Sequence, residues 1–103
     1  MGLDNFAFCT FDVFVALSQH TFIHLVGDPY RGYIHGKAYN DVVEGSTGIT
    51  LYQNYITPDY VKEISEKMDV YTSYEGISQE ELQELQTFFK ILAEHGAGLV
   101  GSW

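Results

Sequence analysis

Apolar positions fall into a helical rhythm most clearly between Ile77 and Gly96. Leu82, Leu85, Phe89 and Leu92 recur every three or four residues, and Phe88 and Ile91 widen the stripe. Ser78 followed by Glu81 is a capping-box spacing, with Ile77 and Leu82 at the hydrophobic-staple positions. Glu80, Glu81 and Glu84 stand toward the positive end of the helix dipole, and Lys90 and His95 toward the negative end. Gly96 is placed as the left-handed stop. A second helix is predicted from Pro58, with Thr57 as N-cap and the stripe Val61, Ile64, Met68. Lys62, Glu63, Glu66 and Lys67 lie outside that stripe. Ile34, Ala38 and Val42, with Tyr39 and Val43 alongside, predict a third, shorter helix that ends within Gly45 to Gly48.

The pattern changes before Gly27. Phe6 to Leu17 is rich in Phe and Val, which favours a strand. Phe11, Val13, Val15 and Leu17 would then share one face. Ser18-Gln19-His20 supplies turn chemistry and Thr21 to Val26 reads as a second strand, so a β-hairpin is predicted. Gly27 to Gly32, around Asp28-Pro29, is a turn by composition. Ile49 to Tyr55 reads as an extended linker and Asp69 to Gly76 as a tyrosine-bearing loop or short strand. The stretch 97–103 is expected to add one edge strand. The fold class expected is α+β: an N-terminal β-hairpin or small antiparallel sheet packed against three helices.

Composition adds limits. The 103 residues are one domain's worth, and 46% apolar content is that of a folded chain. Five of the seven Phe precede residue 23, whereas all eight Tyr lie between Tyr30 and Tyr74. A net charge of −9 disfavours direct binding to nucleic acid or to anionic membrane, and suits a basic protein partner or simple solubility. One cysteine, Cys9, precludes an internal disulfide and points to a cytoplasmic setting. No secretory leader is read in the sequence, and no apolar run is long enough to span a bilayer.

Three segments carry a resemblance: Met1-Gly2-Leu3-Asp4-Asn5, Arg31-Gly32 through Gly36-Lys37-Ala38-Tyr39-Asn40-Asp41-Val42-Val43-Glu44, and Gly98-Leu99-Val100-Gly101-Ser102-Trp103. With Thr47-Gly48 and Leu51-Tyr52, they resemble a family of small uncharacterised proteins met in phage and prokaryotic genomes. Tyr33-Ile34-His35 stands as an insertion against that pattern. The resemblance implies a phage-like or mobile-element setting and no chemistry.

The candidate sites are few. His20 and His24, four apart, could share a face for a metal, with His35, Cys9 or Asp28 needed as a third ligand. The polar face of a hairpin is the simpler reading, so neither metal nor cofactor is expected. Cys9 lies in an apolar setting that suits an inert thiol better than a nucleophile. The Gly27 to Lys37 stretch misses the phosphate-loop spacing. From Asp59 to Glu94, nine acids face three lysines, a net of −6. Function is therefore expected to be non-enzymatic: an acidic interaction module for a basic protein, such as a phage-encoded inhibitor of a host defence or nucleic-acid-processing protein, or a DNA mimic. Its expected contacts are Tyr71 and Tyr74 with Asp69, Glu75, Glu66 and Glu63, and a homo-oligomer is compatible. The alternative is a small-ligand or metal-binding protein using His20, His24, His35 and Arg31. Enzymatic activity is the least supported class.

Overall fold

The computed structural model describes residues 2–103. Five short strands form one antiparallel sheet: β1 (Asp4–Ala7), β2 (Gly27–Asp28), β3 (Tyr33–Ile34), β4 (Tyr55–Ile56) and β5 (Leu99–Ser102), in the order β2-β3-β1-β5-β4. Four helices accompany it: α1 (Phe11–Ser18), α2 (Gly36–Thr47), α3 (Pro58–Met68) and α4 (Gln79–Glu94). The α+β class and the small antiparallel sheet hold. No helix among the described residues is long and apolar enough to cross a membrane.

α4 forms where its stripe predicts. Leu82, Leu85, Phe88, Phe89, Ile91 and Leu92 are all buried. The Ser78 hydroxyl accepts the Glu81 N–H at 3.1 Å. The Glu81 carboxylate accepts the Tyr39 hydroxyl at 3.0 Å and the Ser78 hydroxyl at 3.3 Å, so it joins α4 to α2. At the other end Gly96 takes φ +62°, and the N–H groups of Gly96 and Ala97 return to the carbonyls of Ala93 and Leu92, a Schellman motif. In α3 the Thr57 hydroxyl accepts the Tyr60 N–H, and Val61, Ile64 and Met68 are buried against α4. α2 buries Tyr39, Val42 and Val43 and ends at Thr47, with Gly48 as its left-handed cap, as expected; it leaves Ala38 exposed and begins only at Gly36, so Ile34 lies in β3 and not on the helix.

The predicted hairpin is not there. Phe11–Ser18 is helical, because helical spacing brings Val13 and Leu17 together into the core; strand alternation would bury Phe11 and Val15 as well, and both are exposed. Tertiary packing outweighs the strand preference of Phe and Val here. Thr21 to Val26 is irregular, and side chains satisfy its backbone in place of a strand partner. Tyr30 Oη accepts the Phe22 N–H at 2.9 Å, Glu84 accepts those of His24 and Leu25, and Tyr39 Oη accepts that of Val26 at 2.8 Å. The strands begin earlier, at Asp4. The 97–103 stretch also differs from expectation: β5 is not an edge but lies between β1 and β4.

Asn40 ties the 49–54 linker to α2, since its Oδ1 accepts the Leu51 N–H at 2.7 Å and the Thr50 hydroxyl at 3.2 Å. That contact delivers the chain to β4. Asn5 is fully buried against the start of α2, and its Nδ2 donates to the Leu51 carbonyl at 3.4 Å. Gly36 is needed opposite it, because a Cβ there would overlap the Asn5 amide oxygen.

Candidate functional site: an open aromatic face behind an acidic helical layer

The sheet is covered on one side only. Leu3, Asn5, Ile34, Ile56, Leu99 and Gly101 point into the core, and their neighbours point out. The outward row runs straight across four strands, Tyr33–Phe6–Val100–Tyr55, each residue directly opposite the next. Phe6 stacks on Tyr33 at 4.9 Å between ring centroids. One step along, Phe8 meets Tyr55 edge-to-face at 5.5 Å. Tyr55 can lie down onto β5 because Gly98 has no side chain; a Cβ there would strike its ring. Phe6 and Tyr55 remain 44% exposed and Phe8 58%, so the face is built but uncovered. Tyr52 and Trp103, edge-to-face at 5.6 Å, stand at the end of β5.

The paired strand positions of this face carry two acids: Asp28, opposite Tyr33 at the β2 edge and 3.5 Å from Arg31, and Asp4. The Asp4 carboxylate accepts the Tyr33 hydroxyl at 2.7 Å and lies 3.0 Å from His35 Nδ1. Those two contacts, the tyrosine first, hold the Asp4 carboxyl below its ordinary value. The same hydrogen bond pushes the Tyr33 phenol up.

The acids stand on the helices, beyond the core. Of the nine between Asp59 and Glu94, three have internal duties: Glu63 pairs with Lys67 at 2.9 Å, Glu81 joins Tyr39, and Glu84 holds the 21–26 segment. The remaining six, Asp59, Glu66, Asp69, Glu75, Glu80 and Glu94, are exposed. A groove of about 420 Å³ runs between α3 and α4, lined by Lys62, Ser65, Glu66, Asp69, Lys90 and Glu94 among others. Tyr71 and Tyr74 lie at one end of this layer, edge-to-face at 5.1 Å and half-buried against the core. Gln86 Nε2 fixes their loop by donating to the Met68 and Tyr71 carbonyls, both at 2.8 Å. Glu66, Asp69 and Glu75 are thus open to a partner, Glu63 is shared with Lys67, and the two tyrosines show only part of their rings.

His20 and His24 do come together, in a smaller groove of about 340 Å³ with Glu80, Gln83, Glu84 and Thr87. His24 Nδ1 lies 2.6 Å from Glu84 Oε2. That contact raises the His24 pKa against an opposing effect of burial, and the charges of Glu84, Glu80 and Glu81 add to it. Burial pushes the Glu84 carboxyl up, but the His24 ring and the N–H groups of His24 and Leu25 outweigh it and hold it below its usual value. His35 and Arg31 do not line this groove: His35 faces Asp4, and Arg31 faces Asp28 at 3.5 Å. Among the described residues no three His, Cys, Asp or Glu side chains stand close enough to hold a metal ion. The Cys9 Sγ lies 3.6 Å from the Arg31 carbonyl, and burial pushes its thiol up, away from the reactive thiolate.

The aromatic row was missed in the sequence, although a signal for it exists. Tyr33-Ile34 and Tyr55-Ile56 are the same two-residue strand, one aromatic facing out beside one isoleucine facing in. Comparison of the chain with protein-family models, with curated proteins and with solved structures returns no significant match.

Proposed function

We propose that the chain is a non-enzymatic, acidic protein-interaction module whose helical layer receives a basic protein. One observation carries this reading: exposed acid is concentrated on α3, α4 and their connection, whereas the sheet face behind them is aromatic, its two acids Asp4 and Asp28 lying beside His35 and Arg31. Six exposed acids on one layer give a directional field, which steers a basic partner toward that layer. Tyr71 and Tyr74 supply partly dry contact at its end. In a phage or mobile-element setting the module acts in the cytoplasm as an inhibitor, covering a basic surface that a nucleic-acid-processing or defence protein otherwise offers to nucleic acid.

Capture of proteins from the source cell on the immobilised chain, followed by rate measurements on the partner recovered, tests the reading. Association is expected to slow markedly as salt rises to physiological strength, where charges are screened beyond about 8 Å. Glu66→Lys with Asp69→Lys is expected to slow association further, and Tyr71→Ala to speed dissociation. A recovered partner whose binding ignores salt and all three changes would exclude the helical layer as the site.

A further inference from the structure

The aromatic sheet face is a second surface, and its chemistry is unlike that of the acidic layer. We infer that it is closed by a second copy of this chain, sheet against sheet, in a twofold dimer with the acidic layers outermost. The inference concerns a different face and does not depend on the partner proposed above.

Three observations select this occupant. First, the face is self-complementary. The Tyr33–Phe6–Val100–Tyr55 row presents aromatic and aliphatic side chains, bordered by Asp28 beyond Tyr33, so a twofold axis across its centre sets Tyr33 on Tyr55 and Phe6 on Val100. Sheets pack in this way about 10 Å apart.

Second, the area suits a dimer. Phe6, Phe8, Tyr33, Tyr55 and Val100 together leave roughly 400 Å² of side chain in water, given about 150–250 Å² for each whole aromatic. A stable interface needs about 800 Å² from each partner, a little over half of it apolar. The row supplies most of that apolar share, and the polar flank of Asp4 and Ser102 is available to contribute to the rim.

Third, charge disfavours self-contact through α3 and α4. Each copy carries −9, and copies meeting through those two helices would press acid on acid. With the sheets in the middle and a helical layer about 15 Å thick on each side, the two acidic surfaces stand about 40 Å apart. That is several screening lengths. The two acids on the paired sheet positions are both engaged, Asp4 by Tyr33 and His35 and Asp28, at the β2 edge, by Arg31.

Sedimentation of the whole chain tests this. At about 100 µM the wild type is expected at twice its 11.7 kDa chain mass. The dimer share should rise as salt increases from about 10 mM, where the screening length of about 30 Å approaches the separation of the two acidic surfaces and they still repel. Binding of a basic partner responds to salt in the opposite sense, so failure of one proposal is distinguishable from failure of the other. Phe6→Glu is expected to weaken self-association at least roughly tenfold. Phe8→Glu, one residue beyond the end of β1, should do the same and decides the matter if Phe6→Glu does not fold. Glu66→Lys should leave the dimer in place. A wild type that is monomeric at about 100 µM in high salt overturns the inference, as does a dimer that survives Phe8→Glu. In the first case the face belongs to a foreign apolar partner, and in the second the copies meet elsewhere.

Discussion

The two outer surfaces of this molecule are made by opposite means. On α4, apolar residues turn inward and charge is left outside, with Phe88 and Phe89 fully buried while Lys90 and Glu94 are exposed. On the sheet side, aromatics occur at the outward positions as well: Leu3 and Asn5 are buried, while Phe6 and Phe8 stand in water. A helix spares about half its circumference for solvent. A strand has only two faces, and this sheet makes both apolar. The contrast supports the proposal that the uncovered row is an interaction surface, because solubility alone gives no reason to spend five aromatic and aliphatic positions there.

The comparison can be broken most forcefully with phenylalanines of the two layers. Phe89→Ala is expected to cost about 3–5 kcal/mol, since it opens a cavity in the centre of the core. A melting temperature unchanged in that variant would remove α4 from its central place. Gly36→Ala comes next, at about 1–3 kcal/mol, because the new methyl group meets the Asn5 amide and Leu3, neither of which has room to retreat. Urea unfolding measures it, and an unaltered midpoint would mean that the start of α2 is loosely seated.

Acidity and alkalinity sharpen the comparison at the join between the irregular 21–26 segment and α4. The pKa of His24 is raised in the folded state, so its contribution is whole below its usual 6.5 and is lost as pH climbs through the raised value. That of Glu84 is lowered, so its contribution is present above its usual 4.5 and is lost as pH falls through the lowered value. Stability from this pair should therefore form a plateau spanning pH 4.5 to 6.5 and fall away beyond it on either side. Glu84→Gln should flatten that profile; a wild-type curve with no pH dependence at the alkaline side would contradict the His24 contact. The smallest expected effect on folding is that of Phe8→Ser, within about 1 kcal/mol, since the ring is largely in solvent and loses one edge-to-face contact. Chemical denaturation at a concentration low enough to keep the chain monomeric is the proper readout.

The helical layer was legible because local rules and tertiary demands agree there. Ser78 and Thr57 cap helices whose apolar stripes are also the faces that the core needs. Phe6 to Leu17 was misread because those two levels disagree. Its composition prefers a strand, but Phe8, Phe11 and Phe14 are not core residues, and only Val13 and Leu17 had to be brought inward. Three strands could not be seen at all from periodicity, since β2, β3 and β4 are two residues long; β5 was expected within 97–103, but not its place inside the sheet. Their pairing is decided by distant contacts such as Asn40 to Leu51. The acidic candidates Glu66, Asp69 and Glu75 were accessible from charge counting, whereas the aromatic row needed the register of four strands to assemble.

One experiment bears on the division between the two faces most directly. Phe6→Lys and Glu66→Lys both make the chain more positive, but on opposite sides of the molecule. Sedimentation of both variants beside the wild type, at equal concentration and salt, separates the surfaces. The account predicts a folded monomer for Phe6→Lys and an undisturbed dimer for Glu66→Lys. Equal behaviour of the two variants, whether both dimeric or both monomeric, would contradict the assignment of a dry docking face and an acidic one.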